Sequence, residues 1–500
     1  MTKNVLEWLE STAAAEPSKV AYRDESSALT FGELLHQAQS IGSALAHIAD
    51  RTPIAVMSSR AVGTVAAFLG VVYSGHAYAP IDGTLPEQRV RTILSILKPK
   101  AILADAAFLD RAHAYADGAE VYALDACRQS PVNSERLNII RKAMIETDPL
   151  YVIFTSGSTG KPKGVLTSHQ SLMCYISSYA KVMKIDAKDI LGNQSPLDYI
   201  ATIRDIYLPL YKGCSAVIIP KAFFMQPNAL FEYLNESGVT SVGWSVSAFT
   251  IPLSLGAFKE IGLTTLRKIC FSGSVMPMTC LKTWMQHLPN ADFVNQYGPT
   301  EATASCTYHR VTVDDLTQSA LPIGKPYEHY RVFLLNEDLT ETPNGEVGEI
   351  CISGPTLALG YYNDPERTAT GFVLNPNVTA YPERMYRTGD YGRLREDGEL
   401  EFRGRMDRQI KHMGHRVELD EIEIAANAVD GVDECVCLYH AEKETIVLFY
   451  AGPADKRTVG LALRTALPVF MIPRKLFPMT ALPKLPNGKL DMATLKGTLK

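Results

Sequence analysis

The stretch FTSGSTGKPKGV, residues 154–165, places small hydroxyl and glycine residues directly after an apolar run (150–154) and around two lysines. The apolar run is typical of a buried strand, and the residues after it could turn backbone N–H groups and hydroxyls toward an anion. A Walker P-loop needs glycine five residues before Gly160 and a hydroxyl residue after Lys161. Thr155 and Pro162 stand at those positions. The stretch therefore indicates either a different phosphate-binding loop or a polar linker.

The composition excludes several functional classes. The chain has 500 residues, 46% of them hydrophobic, and this length predicts two or more domains. The net charge of -5 argues against a dedicated binder of nucleic acid or anionic membrane. The nine cysteines form no CxxC pair, which favours reduced, buried thiols in the cytoplasm. The N-terminal sequence MTKNVLEWLE lacks a signal-peptide pattern, and the longest apolar run (65–81) is broken by Ser74 and His76. We expect a cytoplasmic protein without membrane spans.

The order of patterns along the chain predicts the fold class. Short apolar runs alternate with amphipathic segments up to about residue 350, as in 53–57 and 61–73, which indicates parallel α/β layers. Residues 305–405 are richer in strand and turn signals, and the polar stretch GRMDRQIK (404–411) leads into a final α+β segment. We predict a large N-terminal domain of α/β layers plus a β-rich subdomain, residues 1–404. A small mobile α+β C-terminal domain, residues 405–500, follows it.

Further motifs decide what the opening stretch is. They are LTFGEL (29–34), GHAYAPID (75–82), NQYGPTE (295–301), GEICISG (348–354), YRTGD (386–390) and LPNGKLD (485–491). Together with TSGSTGKPKG and GRMDRQIK, this set resembles the adenylate-forming enzymes: acyl-CoA synthetases, luciferases and adenylation domains of nonribosomal peptide synthetases. The resemblance runs from about residue 7 to 493, in the order that the family has, and is strongest to a free-standing amino-acid adenylation domain.

The resemblance implies ATP and Mg²⁺ and assigns roles to residues. Lys489 would be the catalytic lysine, Thr300 would bind the α-phosphate, Glu301 would ligate Mg²⁺, and Asp407 would be the hinge. Asn295, Tyr297 and Phe402 would hold the adenine, whereas Asp390 and Arg405 would hold the ribose. The opening loop would clamp the β,γ-phosphates through Thr155, Ser156, Gly157, Ser158, Thr159, Gly160, Lys161 and Lys163.

The acid-binding pocket is predicted in the same way. The stretch that follows the hinge, HMGHRVELDEIE (412–423), and the C-terminal stretch LPKLPNGKLD (482–491) resemble those of enzymes that activate amino acids more than those of enzymes that activate fatty acids. Asp198 is the expected partner of the substrate ammonium, although it lies about two residues farther from Gly213 than is usual, and Asp205 is expected to be structural. The other expected lining residues are Trp244, Cys270, Ser272, Gly273, Gln296, Ala304 and Ser305. The indole of Trp244 would favour a small substrate such as alanine, glycine or proline.

The expected reaction is activation of a small amino acid as aminoacyl-AMP, followed by transfer to the phosphopantetheine thiol of a carrier protein. Since only 11 residues follow Lys489, we expect the carrier to be a separate protein, with coenzyme A as another acceptor. Three alternatives stay open: an acyl- or aryl-CoA synthetase, a D-alanine–carrier protein ligase and a non-catalytic scaffold.

Overall fold

The computed structural model describes residues 2–157, 161–405, 408–440, 443–484 and 490–499. The predictions for Ser158, Thr159, Gly160, Asp407 and Lys489 lie outside these residues. The chain divides into two compact units. The first comprises residues 1–83, 96–153 and 164–406, and the second comprises residues 84–95, 154–163 and 407–500.

The first unit contains a mainly parallel sheet whose central strands are joined by helical crossovers, as the alternating sequence pattern predicts. The strands, in spatial order, are Lys325–Pro326, Thr307–Arg310, Asp292–Tyr297, Lys268–Ser272, Ser241–Ser245, Ile190–Asn193, Ser215–Ile218, Val20–Arg23 and Ala28–Thr30. The strands from Asp292–Tyr297 to Val20–Arg23 run parallel, and the outer ones are antiparallel.

A second sheet has the strand order Gly360–Tyr361, Lys163–Ser168, Pro149–Thr155, Tyr78–Asp82, Ile54–Ser58, Ala101–Ala104 and Glu120–Ala123. Beside it, the helix Val62–Tyr73 is buried along nearly its whole length and packs on the helix Phe31–Leu45. The two helices can approach closely because Gly70 has no side chain: a Cβ there would lie only 2.5 Å from the Ile41 side chain. This contact anchors one continuous hydrophobic core.

The remaining helices of the first unit surround these sheets. Their bounds are Val5–Ala15, Leu109–Tyr115, Leu124–Arg128, Ser134–Ala143, His169–Val182, Ile203–Lys212, Pro227–Glu236, Ser247–Ser254, Met278–His287 and Pro365–Gly371. Short 3-10 turns lie at Ala106–Phe108, Ile200–Thr202, Lys221–Met225, Thr300–Ala302 and Asp314–Thr317. The helix Glu87–Leu97 crosses the boundary between the units.

The predicted β-rich subdomain is an antiparallel sheet within the first unit. Its strands are Arg331–Leu335, Val347–Ser353, Arg384–Leu394, Phe372–Leu374 and Leu400–Arg405. The long strand Arg384–Leu394 pairs with Leu400–Arg405, which sets Asp390 opposite Arg405.

The second unit combines a hairpin, a small sheet and helices. The hairpin is Gln409–His412 with His415–Glu418, and the sheet contains Glu434–His440, Thr445–Ala451 and Lys475–Met479. The helices are Leu419–Asn427, Lys456–Ala466 and Met492–Gly497, with a 3-10 turn at Val469–Met471. These observations confirm the predicted α/β fold class, whereas the domain boundary between residues 404 and 405 stays a prediction.

Candidate active site

The candidate site lies where parallel strands of the first sheet end. The register pairs Ser245 with Ser272 and Ser272 with Gln296 on neighbouring strands. Loops that follow the carboxyl ends of adjacent parallel strands meet at one edge, which is where open α/β sheets bind ligands. Gly273 follows directly, with a φ of 97° and no atom within 4 Å of the place where a Cβ would stand. The predicted acid-pocket residues Ser272, Gly273 and Gln296 therefore share an edge with Tyr297, which is expected to contact the nucleotide.

A buried carboxylate joins the sheet edge to the β-rich subdomain. Asp390 accepts a 2.5 Å hydrogen bond from the Tyr297 hydroxyl and an ion-pair hydrogen bond from Arg405. Its backbone N–H donates to Thr388 Oγ1 at 3.0 Å, which fixes the start of the side chain. A carboxylate has about four acceptor positions, so Asp390 can still accept from a ligand hydroxyl. The three residues predicted for ring and ribose contacts, Tyr297, Asp390 and Arg405, are thus in contact.

The predicted adenine-binding residues lie beside this carboxylate. The rings of Tyr297 and Phe402 have centroids 6.3 Å apart at an angle of 39°. A base stacked between two rings needs a separation of about 7 Å, twice a carbon–carbon contact distance, so one ring would have to move. Asn295 donates Nδ2–H to the carbonyl oxygen of Pro322 at 2.8 Å. That bond orients the amide, whose Oδ1 is the acceptor that an adenine amino group requires.

The turn Thr300–Ala302 is held in a strained but well-supported conformation. Thr303 and Ala304, which follow it, have φ values of 54° and 71°. Left-handed backbone costs a non-glycine residue about 1–2 kcal/mol. The Tyr330 hydroxyl stabilises it by donating to the carbonyl oxygens of Ala302 at 3.0 Å and Thr303 at 3.3 Å. The buried Thr300 and Glu301 and the predicted pocket residues Ala304 and Ser305 are therefore fixed by one turn.

Glu301 is suited to a hard cation. Its carboxylate is fully buried and accepts a 2.8 Å hydrogen bond from the Tyr361 hydroxyl at Oε1. Among the described residues, no group of three or more His, Cys, Asp and Glu side chains is arranged to hold a metal. Mg²⁺ is commonly held by one or two carboxylates together with phosphates and waters, so the donor set around Glu301 fits Mg²⁺ delivered with a nucleotide.

Residues 154–157 and 161–163 of the phosphate-loop stretch belong to the second unit. Thr155 is buried, and its hydroxyl has no hydrogen-bond partner among the described residues, which leaves a donor for an incoming phosphate. The Ser156 hydroxyl donates to the carbonyl oxygen of Arg416 at 2.6 Å. Lys163 is buried, whereas Lys161 is exposed. The contacts of Gly157, Lys161 and Lys163 with phosphate stay a prediction.

The structure brings some of the predicted acid-pocket residues together and keeps Trp244 apart. Cys270 and Gln296 both contact the side chain of Arg204. Trp244 is fully buried in a separate core cluster, where its ring packs on Phe224 and Phe249 and its Nε1–H donates to the Gly192 carbonyl at 2.8 Å. Because side chains alternate along a strand, Trp244 points away from the face that Gly243 shares with Cys270. Its predicted effect on substrate size stays untested.

Asp198 and Asp205 occupy different environments. Asp198 lies in the turn before Ile200–Thr202 and is partly exposed. Asp205 is buried and accepts from Asn193 Nδ2 at 2.8 Å, and Asn193 Oδ1 in turn accepts from Arg60 Nη2 at 2.6 Å. Burial raises the pKa of Asp205 to about 6, against the opposing effects of Arg204, Asn193 and Arg60. These contacts support the expected structural role of Asp205.

Sequence reasoning missed Arg204. Arg204 is 1% exposed, and its guanidinium contacts Cys270 Sγ at 3.7 Å and Gln296 Oε1 at 3.4 Å, so it lies between two predicted pocket residues. The signal in the sequence was a charged pair, Arg204 and Asp205, between the isoleucines that begin the helix Ile203–Lys212. Charged residues are rarely buried without a specific reason.

Comparison with known proteins identifies the family. The family model for AMP-binding enzymes matches residues 9–362. The chain belongs to the AMP-binding enzyme family. This AMP-binding enzyme is 31% identical to tyrocidine synthase 1 of Brevibacillus parabrevis over 501 residues, 99% of this chain and 45% of that protein. It is also 31% identical to the D-alanine–D-alanyl carrier protein ligase of Bacillus cereus (strain G9842), over 98% of each chain.

The fold is shared with solved structures of the same kind. Holo-PA1221, described as an NRPS protein containing adenylation and PCP domains bound to vinylsulfonamide inhibitor, superposes with a TM-score of 0.84 at 26% identity. The match covers 99% of this chain and 84% of that one. The predicted family is confirmed. The AMP-binding enzyme spans less than half of tyrocidine synthase 1. In the described part of the chain, no helix has the length and apolar character that crossing a membrane requires.

Proposed function

We propose that this protein activates a small amino acid with ATP and transfers the aminoacyl group to the phosphopantetheine thiol of a separate carrier protein. The observation that carries the proposal is the shared strand edge, where Ser272 and Gln296 of the acid pocket adjoin Tyr297, which is bonded to Asp390. Such an edge allows an acid and a nucleoside to lie side by side, which the joining of their phosphate and carboxylate requires.

In the first step, an oxygen of the substrate carboxylate attacks the α-phosphorus of ATP, and the bond to the leaving pyrophosphate breaks. Both reactants are anions, so catalysis depends on neutralising and orienting them. Thr300 would donate to the α-phosphate, Asp390 would accept from the ribose hydroxyls, and Arg405 would hold that carboxylate in place. Glu301 would hold Mg²⁺, which when bound supplies charge neutralisation to the phosphates. Lys489 would bridge the two reacting anions.

In the second step, the carrier thiol attacks the acyl carbon and AMP leaves. The proposed movement about Asp407 would withdraw Lys489 and admit the thiol, so that one pocket serves two reactions in turn. The similarity to a D-alanine–D-alanyl carrier protein ligase over 98% of both chains supports a carrier protein in trans. That similarity also makes D-alanine transfer to a carrier protein the second candidate function.

The test is substrate-dependent exchange of radiolabelled pyrophosphate into ATP, measured across the amino acids of both hands and a set of common carboxylic acids. An amino acid that drives exchange and is then loaded onto a phosphopantetheinylated carrier supports the proposal. Exchange driven only by a carboxylic acid without an amine, with coenzyme A as acceptor, would instead identify an acyl-CoA synthetase.

A substitution separates the two steps. Lys489→Ala should abolish most adenylation but leave the thiol reaction of preformed aminoacyl-AMP largely intact, because the lysine acts on the α-phosphate. Equal losses in both reactions would refute the assignment of Lys489 to the first step.

A further inference from the structure

Arg204 carries a buried charge whose hydrogen-bond partners are all neutral groups. Nη2 donates to the Gly243 carbonyl at 2.8 Å, Nε donates to the Ala201 carbonyl at 3.2 Å, and Nη1 faces Gln296 Oε1 and Cys270 Sγ. Burial raises the pKa of the Cys270 thiol, so this sulfur is neutral and supplies no counter-charge. Among the described residues, no carboxylate forms an ion pair with Arg204. A buried cation without a carboxylate or phosphate partner is costly.

Asp205, the nearest acidic residue in the sequence, interacts electrostatically with Arg204, but no direct hydrogen bond joins their side chains among the described contacts. Asp205 accepts instead from Asn193, which is itself bonded to the partly buried Arg60. Arg60 also donates to the carbonyl oxygens of Asn193 and Ser195. The Asp205 carboxylate is therefore hydrogen-bonded to Asn193 rather than paired directly with the Arg204 guanidinium. Arg204 also lies in the first turn of the helix Ile203–Lys212, where the helix dipole adds positive potential.

Two further buried donors near Arg204 find no acceptor in the part of the chain that the structure describes. They are Gln296 Nε2 and the Tyr327 hydroxyl, and both residues are 2% exposed. The Gln296 amide is next to the guanidinium. The Arg204 guanidinium lies over the ring of Tyr179, 5.6 Å from its centroid. The Tyr179 ring packs against Tyr175, and the Tyr175 ring packs in turn against Tyr327. Buried donors are normally satisfied, so donors left open around one cation indicate an absent acceptor.

We propose that Arg204, Gln296 and Tyr327 form a carboxylate-binding subsite in the acid pocket, and that the activated substrate is an amino acid with a side-chain carboxylate. The proposal rests on the proposed function for the reaction but adds the substrate class. A carboxylate accepts from the guanidinium, the amide and the hydroxyl together, and it supplies the counter-charge. A neutral side chain could not supply a counter-charge to the Arg204 guanidinium, and an apolar one would also leave the Gln296 amide and the Tyr327 hydroxyl without an acceptor.

The expected preference is large. Sites built around buried hydrogen-bonding groups reject analogues that lack the matching group far more strongly than apolar pockets reject a missing methylene. We therefore expect aspartate or glutamate to drive pyrophosphate exchange with a kcat/KM at least about 100-fold above that of asparagine, glutamine and alanine.

The experiment compares Arg204→Met with Arg267→Met in the full-length protein. Arg267 pairs with Asp189 at the opposite end of the strand Lys268–Ser272, so the same substitution there leaves the pocket intact. The proposal expects Arg204→Met to lose the acidic preference by about 100-fold and Arg267→Met to keep it. Exchange driven best by a neutral amino acid, and unchanged in Arg204→Met, would overturn the subsite and leave the proposed function standing.

Two further measurements cover the remaining outcomes. If no acid drives exchange, the proposed function fails, and the thermal midpoint with and without aspartate decides about the subsite. A rise in wild type that is absent in Arg204→Met supports it, whereas equal behaviour overturns it. If Arg204→Met does not fold, Tyr327→Phe replaces it. The Tyr327 hydroxyl that this substitution removes has no partner among the described residues, so the thermal midpoint should stay the same while kcat/KM for the acidic substrate falls about 10-fold or more. An unchanged kcat/KM would overturn the subsite.

Discussion

Gly298 offers the sharpest test of the strained turn in the candidate site. A Cβ at this position would lie 2.6 Å from the carbonyl oxygen of Ala304, 2.6 Å from Ser305 Cα and 2.7 Å from Cys306 N. An ordinary contact begins at 3.4 Å, so Gly298→Ala must push the backbone at Ala304 away by about 0.8 Å. Backbone atoms cannot rotate aside as a side chain would, and such overpacking costs about 1–3 kcal/mol. The φ of Gly298 lies outside the left-handed range, so the effect is purely steric.

Displacement of this turn moves the predicted phosphate and metal residues, Thr300 and Glu301. A misplacement near 1 Å can cost about 100-fold in rate, so we expect a loss of that order in kcat/KM for ATP–pyrophosphate exchange. The control is Gly262→Ala, because a Cβ there meets no atom within 4 Å and the φ is ordinary. Exchange in Gly298→Ala within about threefold of wild type, at an unchanged thermal midpoint, would show that the turn does not position the reacting groups.

Three further predictions use the same assays. Tyr361→Phe removes the 2.8 Å hydrogen bond to Glu301, and we expect exchange to need more Mg²⁺; an unchanged Mg²⁺ dependence would contradict the metal assignment. Thr155→Val removes a buried hydroxyl without a partner, so the thermal midpoint should hold or rise while the KM for ATP increases, and a lower midpoint with normal KM would contradict it. Burial raises the pKa of Asp205 from its ordinary value of 3.8 to about 6 in the folded protein. Ionised Asp205 therefore destabilises the folded state in full above pH 6, and this cost in the free energy of unfolding disappears below about pH 3.8. Asp205→Asn should therefore raise the thermal midpoint at pH 8, with the gain shrinking toward pH 4; a gain independent of pH would refute this.

The secondary structure followed closely from the sequence pattern. The helix expected at 61–73 is Val62–Tyr73, and the strand expected at 53–57 is Ile54–Ser58. These elements were predictable because each is a long apolar run or a periodic segment, bounded by polar residues or glycine and proline. The boundaries shifted by one residue because capping and sheet register, rather than propensity, set element ends.

The candidate site was only partly predictable. The motif residues Tyr297, Asp390 and Arg405 are in contact although more than 90 positions separate the first from the other two. Trp244, which was predicted to line the acid pocket, packs in a separate core cluster, whereas Arg204, for which the sequence gave no prediction, lies between Cys270 and Gln296. Strand alternation turned the indole into the core, whereas the register of neighbouring strands set Gly243 and Cys270 beside the arginine. A lateral pairing of this kind has no signature in the local sequence.

The family, the α/β class and the residue types predicted to handle nucleotide were evident from the order of the residues, because these depend on local runs and on motifs in a fixed order. Which side chains face one another at the predicted acid pocket became evident only in the folded chain. A buried arginine is recognised by its partners, and Gly243, Gln296 and Tyr327 come from strands and loops far apart along the chain. Residues 154–165 illustrate this division. Their sequence indicated a phosphate-binding loop, whereas the fold was needed to show that the buried hydroxyl of Thr155 has no hydrogen-bond partner among the described residues.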